Sequence, residues 1–337
     1  MENKMSDRTN TTIGDVAEAL GVSKTTVSRA ISGKGRISPA TRNKVLEYIE
    51  KHNFKPNTIA KGLAQSKTFN ICVTIPVECG VTEQVFFQTV LVGMCNYLSA
   101  RDYDVVVADI AENDISNLER IISNRKVDGV IVTRTLIDGN IVEYLKATKI
   151  PFVTLGLYPD DEVVQIDANH TEGCGELVSF LLMRGFRRLA LLGGNTKHIV
   201  TESRYRGFEN AHKQAGLAVD RTLVYENMIN DVVIEKAIDD ILKKKADCIL
   251  CMDDNICNTV LHKFNKEGIR IPEDIKIASF FNSILLENNH PSISCVDFDT
   301  TEEGMLAGKL ILDLLDGEEV PTVTRLGYQV ILKDSTK

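Results

Sequence analysis

The sequence contains no tryptophan and no long apolar stretch of the kind that anchors a protein in a membrane. A membrane-spanning helix needs roughly 18 to 20 consecutive apolar residues, and no window approaches that length. Met1 to Asn10 is polar and lacks the apolar segment of a secretory signal peptide. We therefore expect a cytoplasmic protein with no membrane partner, in which ligand binding cannot be followed by tryptophan fluorescence.

Motifs of the common enzyme classes are also missing. The sequence has no nucleophile elbow, no zinc-protease motif and no phosphate-binding loop. Asp253 and Asp254 are adjacent carboxylates, but neighbours in sequence rarely face the same substrate atom. We expect a protein that is not an enzyme, with no catalytic residue and no cofactor.

The eight cysteines are scattered and form no disulfide framework. Most lie in apolar runs, which is typical of reduced, buried thiols. Cys248 and Cys251 have the C-x-x-C spacing of metal and redox sites, but no second Cys or His pair with zinc spacing accompanies them. Since both lie in an apolar run, we interpret them as core residues and expect no metal site.

The charge of the chain is divided unevenly. The formal net charge is −8, yet residues 1–67 hold 12 basic and 6 acidic residues, and the remainder holds 27 basic and 41 acidic residues. At 337 residues the chain is also long for a single core. We expect two or three domains, with a small basic head that contacts a polyanion and a large acidic body.

The head, residues 12–54, has the pattern of three short helices. Thr12 and Ser23 are good N-caps for the first two, and Gly21 between them supplies a tight turn. Ser38 followed by Pro39 predicts the start of the third helix. The third helix is expected to bury three apolar residues, Val45, Leu46 and Ile49.

Two short helices joined by a glycine turn form the helix-turn-helix design. In the second helix Val27, Ala30 and Ile31 are expected to face inward, which leaves Lys24, Thr25, Ser28 and Arg29 outside. Lys and Arg can donate to guanine in the major groove, and the Thr methyl group can contact thymine. The alternative is an ordinary three-helix domain with a solvated basic face.

The segment Asn57 to Ala64 predicts a helix of about two turns that contains Gly62. Isolated helices this short are marginal in water, and an internal glycine costs roughly 1 kcal/mol more. The segment should therefore fold only against a partner, where Leu63 could act as an apolar wedge in the minor groove. The alternative is a plain linker.

Residues 12–29, TIGDVAEALGVSKTTVSR, and 55–63, KPNTIAKGL, resemble the lactose-repressor (LacI/GalR) family of transcription regulators. The resemblance implies base contacts by Lys24, Thr25 and Arg29, a hinge helix at 57–64 with Leu63 intercalating, and a homodimer on a pseudo-palindromic operator. Gly62 departs from the family pattern and implies a hinge that depends more on DNA and partner. The expected DNA-contacting residues are Thr12, Ser23, Lys24, Thr25, Thr26, Ser28, Arg29, Asn57, Ala60 and Leu63.

From Phe69 onward, short apolar strands alternate with amphipathic helices. This alternation predicts an α/β fold with parallel sheets covered by helices, in which ligands bind beyond the carboxyl ends of the strands. The expected strands are 71–76, 104–109, 129–133, 152–155, 188–192, 248–252 and 275–280. The expected helices include 84–101, 118–124, 172–184, 205–215, 233–244 and 256–266.

The body also resembles the family, through KVDGV at 126–130, RYRGF at 204–208 and GIRIPEDI at 268–275. The resemblance implies a periplasmic-binding-protein-like sensor with two lobes and three crossings of the chain. The implied divisions are a DNA-binding domain at 10–55, a hinge at 56–68 and an effector and dimerisation domain at 69–337. Its first lobe would comprise about 70–166 and 298–324, and its second about 168–296 and 326–337.

The family pattern places an effector-binding arginine at Arg204 and a polar ligand at Asp253, while Asp254 is expected to cap the next helix. An arginine in a cleft can donate to vicinal hydroxyls or to a phosphate, although a surface arginine at a helix start is the alternative. Phe281 stands where the family commonly has an aspartate, which favours stacking, with Asn282 supplying a polar contact. The expected effector-binding residues are Phe86, Phe87, Asp109, Thr133, Arg204, Asp253, Phe281 and Asn282, with Arg134 and Gln165 as weaker candidates.

These features predict a repressor of carbohydrate-utilisation genes whose operator affinity is controlled by a sugar or sugar derivative. The alternative within the family is a global catabolite regulator that responds to a phosphorylated carrier protein docked on the first lobe. A transport binding protein would share the body but not the DNA-binding head. Whether the effector releases or tightens DNA binding is left open by the sequence.

Overall fold

The structure is a computed structural model that describes residues 12–33, 35–52, 54, 62, 65–78 and 80–337. The chain divides into two compact units, Met1–Thr68 and Phe69–Lys337, here called the head and the body. None of the described helices is both long and apolar enough to cross a membrane. The α/β fold predicted from the sequence is confirmed.

Within residues 12–54, the structure describes the helices α1 Ile13–Leu20, α2 Lys24–Ser32 and α3 Pro39–Lys51. The predicted caps are confirmed, because the side chains of Thr12, Ser23 and Ser38 each accept a backbone N–H of the first helical turn. Thr12 also forms a capping box with Asp15. Gly21 ends α1 in the left-handed conformation that the tight turn to α2 requires.

The core of the head includes Val16, Val27, Ala30 and Val45. The prediction that Leu46 is buried is wrong, since 39% of this residue is exposed. On α3 it lies one position after Val45, about 100° around the helix, and therefore on the solvent side. The expected hinge residues Asn57, Ala60 and Leu63 lie outside the described residues.

The body consists of two six-stranded sheets, each with helices against it. The first sheet has the order β11-β5-β4-β3-β1-β2 and the second β12-β10-β9-β8-β6-β7. All strand pairs are parallel except β10 with β12. The strands are β1 Asn70–Pro76, β2 Asp104–Ile110, β3 Gly129–Val132, β4 Phe152–Leu155, β5 Gln165–Asp167, β6 Leu189–Leu192, β7 Val224–Tyr225, β8 Cys248–Cys251, β9 Lys276–Ser279, β10 Ser294–Phe298, β11 Val323–Arg325 and β12 Tyr328–Ile331.

The helices of the body begin close to the ends of the preceding strands. They are α4 Val81–Ser99, α5 Ser116–Ser123, α6 Ile141–Thr148, α7 His170–Met183, α8 Ile199–Gln214, α9 Asp231–Lys243, α10 Asp254–Glu267, α11 Ile284–Glu287 and α12 Thr300–Leu315. Two 3-10 turns are also present, Arg221–Leu223 and Asp334–Thr336.

The chain passes between the two sheets three times. It leaves the first sheet after β5, returns to it after β10, and leaves it again between Arg325 and Tyr328. The second crossing, which was expected near Val296 to Asp299, comes after Phe298, because the whole of β10 pairs within the second sheet. We call the part around the first sheet lobe 1 and the part around the second sheet lobe 2.

Cys248 and Cys251 lie in the core of lobe 2, where both are fully buried. On strand β8 a spacing of three residues directs the two side chains to opposite faces of the sheet. Burial raises the pKa of both thiols. The C-x-x-C spacing in this chain therefore reflects core packing on two faces of one sheet.

Candidate functional site

A cavity with a volume of about 600 Å³ lies in the body. Its wall is formed by residues directly after β1, β2, β3 and β4 of lobe 1 and after β6, β8 and β9 of lobe 2. The cavity is thus a cleft between the carboxyl ends of both sheets. This is the place where parallel α/β sheets bind ligands, because loops and helix N-termini from several strands converge there.

Arg204 lies on α8 and reaches the wall of the cleft with only 8% of the residue exposed. One terminal nitrogen, Nη1, donates to the carbonyl of Met252 at 2.8 Å. Its Nε is buried and has no hydrogen-bond partner in the described part of the chain. A buried guanidinium donor without a partner is costly, so a hydrogen-bond acceptor that reached this nitrogen would stabilise the protein.

The close packing of α8 against α7 fixes the position of Arg204. A Cβ atom at Gly207 would lie 2.4 Å from the carbonyl oxygen of Thr171, on α7. Only glycine allows the two helix backbones to approach so closely. Gly207 lies three residues after Arg204 on the same helix, so this contact sets how far the arginine extends into the cleft.

Three carboxyl groups of the wall are at least half-buried: Asp253 is half-buried, and Asp254 and Glu303 are buried. Asp253 begins α10 as its N-cap and accepts the backbone N–H of Ile256 at 2.8 Å. Burial raises the pKa of Asp253 to about 6 and that of Glu303, on α12, to about 7. Burial also raises the pKa of Asp254. The cap was expected at Asp254, and this prediction is wrong: Asp253 has the extended backbone of a cap residue and Asp254 is the first helical residue.

Aromatic side chains cover another part of the wall. The rings of Phe86 and Phe281 meet edge to face across the cleft with centroids 5.9 Å apart. Phe87 is 5% exposed and lies under the guanidinium of Arg134, 5.1 Å away. The guanidinium of Arg204 lies 5.6 Å from the centroid of Phe281. These faces suit the C–H surface of a ring, and they keep water away from the polar groups beside them.

The structure places six of the eight expected effector-binding residues in the wall and leaves two outside it. Asp109 is exposed and accepts from Asn117 at 2.7 Å. Its neighbour Ile110 lines the cleft, and successive side chains of a strand point to opposite faces. Asn282 donates its amide to Glu287 and Asp297, so its side chain is turned away from the cleft.

Two further expected residues have their polar groups satisfied inside the protein. The hydroxyl of Thr133 lines the cleft but donates to the carbonyl of Thr74. Gln165 is buried away from the wall, where it accepts from the backbone of Tyr158. Arg134 does line the cleft, in a 2.6 Å ion pair with Glu83.

Sequence reasoning missed Glu112 and Glu303. Glu112 follows β2 in lobe 1 and accepts from Asn195 at 2.9 Å and from Lys197 at 2.7 Å, both in lobe 2. Burial, with the charge of Arg134 adding to it, lowers the pKa of the neighbouring His198 to about 4. A signal for Glu112 was present, since it lies two residues after the end of β2. Glu303 gave none, because it lies on a helix far along the chain.

Contacts of the backbone also join the lobes at the mouth of the cleft. The N–H of Ile137 donates to the carbonyl of Lys197 at 2.9 Å, and the N–H of Ile199 donates to the carbonyl of Thr135 at 3.2 Å. Together with the contacts of Glu112, they close one side of the cleft. The structure is therefore that of a body with its lobes together.

In the head, α2 presents a polar face to solvent. Lys24, Thr25, Ser28 and Arg29 are exposed, as are Thr12 and Ser23, while Thr26 is half-buried and its hydroxyl lies 2.9 Å from that of Ser23. The predicted inward residues Val27 and Ala30 are fully buried. The helix can therefore enter a groove with its cationic side chains free of the core.

Family models match part of the head and part of the body. Residues 12–57 match the family described as bacterial regulatory proteins, lacI family, and residues 178–336 match the periplasmic binding protein-like domain. Catabolite control protein A of Staphylococcus epidermidis is 28% identical over 313 residues, which cover 92% of this chain and 94% of that protein.

Solved structures share the fold over nearly the whole chain. The lac repressor dimer bound to operator and the anti-inducer ONPF superposes with a TM-score of 0.78 at 20% identity, over 97% of this chain and 99% of that one. The complex of the transcriptional regulator CelR with cellobiose gives a TM-score of 0.71 at 23% identity, over 96% and 99%. With a helix-turn-helix head and a two-lobed body of this kind, the chain belongs to the LacI/GalR family and is a DNA-binding transcription regulator.

Proposed function

We propose that the chain represses carbohydrate-utilisation genes as a homodimer on a pseudo-palindromic operator. A sugar or sugar derivative bound in the cleft controls the affinity for DNA. The observation that carries the effector site is Arg204. This arginine is nearly buried, its Nε has no hydrogen-bond partner among the described residues, and its guanidinium lies against Phe281 in a cleft of about 600 Å³. Such convergence of an apolar wall with a few polar groups is typical of small-molecule sites.

The switch proposed here is a shift between two arrangements of the lobes. A ligand in the cleft contacts both lobes. It therefore stabilises the closed arrangement by the difference between its affinities for the closed and the open arrangement. We propose that closure is transmitted to DNA binding through the segment 56–68. The effector-binding residues proposed are Phe86, Phe87, Thr133, Arg204, Asp253 and Phe281.

The test combines melting and DNA binding on three variants. A panel of sugars is screened for a rise in melting temperature of the full-length protein, because a ligand of the folded state stabilises it by mass action. Arg204→Ala should abolish the rise and the effector response of operator binding. Arg206→Ala is the matched control, since this exposed arginine on the same helix pairs only with Glu202. Lys24→Ala should lower operator affinity and keep the rise.

The proposal for the cleft fails if Arg204→Ala responds to the effector as the natural protein does. The proposal for the head fails if Lys24→Ala binds operator unchanged while its salt dependence is also unchanged. A lost phosphate or base contact should weaken binding at every salt concentration tested.

A second candidate is a global catabolite regulator that answers to a phosphorylated carrier protein. The similarity to catabolite control protein A favours it. In that case a phosphorylated carrier protein, and not its unphosphorylated form, should raise operator affinity. The effect should persist in Arg204→Ala, because the docking surface would lie outside the cleft.

A further inference from the structure

The charges that line the cleft are mostly negative. Two of the acidic residues are already neutralised, Glu83 by Arg134 at 2.6 Å and Glu112 by Lys197 at 2.7 Å. The inner wall is then left with Arg204 as its cation, facing Asp253, Asp254 and Glu303. The net charge of this inner wall is negative whenever more than one of the three carboxyl groups is ionised.

Glu303 is the most isolated of these acids. It is 5% exposed, and its carboxyl group makes no hydrogen bond or ion pair with the residues that the structure describes. Burial raises its pKa to about 7, and the carboxylate of Asp167 adds to the rise while Arg204 opposes it. The protein therefore supplies a buried carboxyl group that is not matched by a cation of its own.

The packing of α12 holds Glu303 in this place. A Cβ atom at Gly304 would lie 2.0 Å from the carbonyl oxygen of Val90 on α4, so α12 is locked against α4 at the next residue. Retreat of the side chain into solvent would require the helix to turn. Glu303 therefore stays in the wall when a ligand enters.

A negatively charged ligand entering this space meets one arginine and up to three carboxylates. A ligand that enters displaces water from the cleft, so the repulsion between its charge and the carboxylates is screened less than at a surface. A hydroxyl group meets no such penalty, since it can donate to a carboxylate oxygen and accept from Arg204 Nε. An amino group would add attraction to the carboxylates.

We propose that the cleft accepts a hydroxyl-rich ligand without negative charge, and that Glu303 is the residue that turns away sugar phosphates and sugar acids. This specificity rests on the proposed effector function of the cleft and narrows it to neutral sugars and amino sugars. Arg204 by itself would favour a phosphate, so the exclusion of anions is assigned to the carboxyl groups opposite it.

The experiment compares matched probes on the full-length protein and its variants. Binding of glucose, glucosamine, glucose 6-phosphate, gluconate and inorganic phosphate is measured by calorimetry and by melting shift, with ionic strength held constant with sodium chloride. The variants are Glu303→Gln, the control Glu302→Gln, which removes an exposed charge on the same helix, and the double variant Glu303→Gln with Arg204→Gln. Glu303→Met replaces the first variant if that protein melts early.

The expected result is that glucose 6-phosphate and inorganic phosphate bind Glu303→Gln at least about tenfold more tightly than they bind the natural protein or Glu302→Gln. The gain should vanish in the double variant, which places the new anion at Arg204. Comparison of glucose with glucosamine then decides between a neutral and an amino ligand. The inference is overturned if the natural protein binds the anions as tightly as Glu303→Gln does, or if neither neutral variant at position 303 gains anion affinity. Neither result bears on the operator binding or the Arg204 response, which test the proposed function.

Discussion

At the scale of single residues, the cleft is notable for ionisable groups that are kept away from water. The Nε of Arg204 is buried without a hydrogen-bond partner in the described residues, and burial raises the pKa of Asp253 to about 6 and that of Glu303 to about 7. Burial of such groups lowers the stability of the protein without ligand, because desolvation of a charged form is only partly offset by neighbours. A ligand that satisfies these groups therefore has a large effect on stability.

Glu303→Gln should change how stability depends on pH. The pKa of Glu303 is about 7 in the folded protein and about 4.5 in the unfolded chain, so the folded state holds the proton more tightly. The contribution of this tighter proton binding to the free energy of unfolding is fully present below about pH 4.5, and it is lost as the pH rises through about 7. A shift of this size corresponds to about 3 kcal/mol. The charged groups that face it are Arg204 and Asp167, with His170 neutral because burial lowers its pKa.

The measurement is the melting temperature between pH 5 and pH 8. Glu303→Gln should melt higher than the natural protein at pH 8, and the difference should shrink toward pH 5. The melting temperature of both proteins should still change with pH because of Asp253, whose pKa is also raised. Parallel curves for Glu303→Gln and the natural protein would show that the carboxyl group of Glu303 is solvated.

At the scale of elements, two pairs of helices set the geometry of the cleft. Helix α7 packs on α8 through Gly207, and α4 packs on α12 through Gly93 and Gly304, where an added Cβ would lie 2.4 Å or less from a backbone oxygen of the facing helix. One pair carries Arg204 and the other carries Glu303. The sequence predicted α4, α7 and most of α8, but it did not predict α12 or the contacts between these helices.

Gly207→Ala should destabilise the body even though alanine favours a helix by about 1 kcal/mol over glycine. The added methyl group forces α7 and α8 apart, and overpacking of this kind costs about 1–3 kcal/mol or more. We expect a clearly lower melting temperature by circular dichroism and weaker effector binding, since Arg204 moves with α8. Gly327→Ala is the control, because no atom lies within 4 Å of its added Cβ and its φ is not left-handed. Equal melting temperatures for the two variants would contradict the close contact of the helices.

At the scale of the whole molecule, the body is two lobes joined by three chain crossings and by contacts at the mouth of the cleft. Glu112 of lobe 1 binds Asn195 and Lys197 of lobe 2, beside the backbone hydrogen bonds of Ile137 and Ile199. Lys197 is 64% exposed, so its ion pair with Glu112 is screened by water and worth no more than about 1 kcal/mol. Contacts of this strength allow the lobes to open and close.

Glu112→Ala should raise the open population of the ligand-free protein. Loss of about 1 kcal/mol corresponds to roughly a fivefold change in that equilibrium. Hydrogen exchange of the Ile137 and Ile199 amides reports it directly, because both donate from one lobe to the other. Their exchange should accelerate about fivefold in Glu112→Ala and not in the control Glu119→Ala, while the Met252 amide, bonded within lobe 2, stays protected. Unchanged exchange of the first two amides would mean that Glu112 does not hold the lobes together.

The sequence by itself determined the elements with strong local signals. The caps at Thr12, Ser23 and Ser38, the polar face of α2 and the apolar strands of the central sheets all follow from residues near one another in the chain. The family resemblance, carried by residues 12–29 and 55–63, determined the DNA-binding function. It also indicated that the ligand site lies at the carboxyl ends of the strands.

Only the tertiary structure decided which of those residues face the cleft. A strand end supplies side chains to both faces, so Ile110 and Glu112 point into the cleft while Asp109 points away, and Phe281 lines the wall while Asn282 does not. The short strands β5, β7 and β11 have only two or three residues each, too few for a pattern of their own. Glu303 joins the site because α12 returns to lobe 1 after the second crossing, a distance in sequence that no local signal spans.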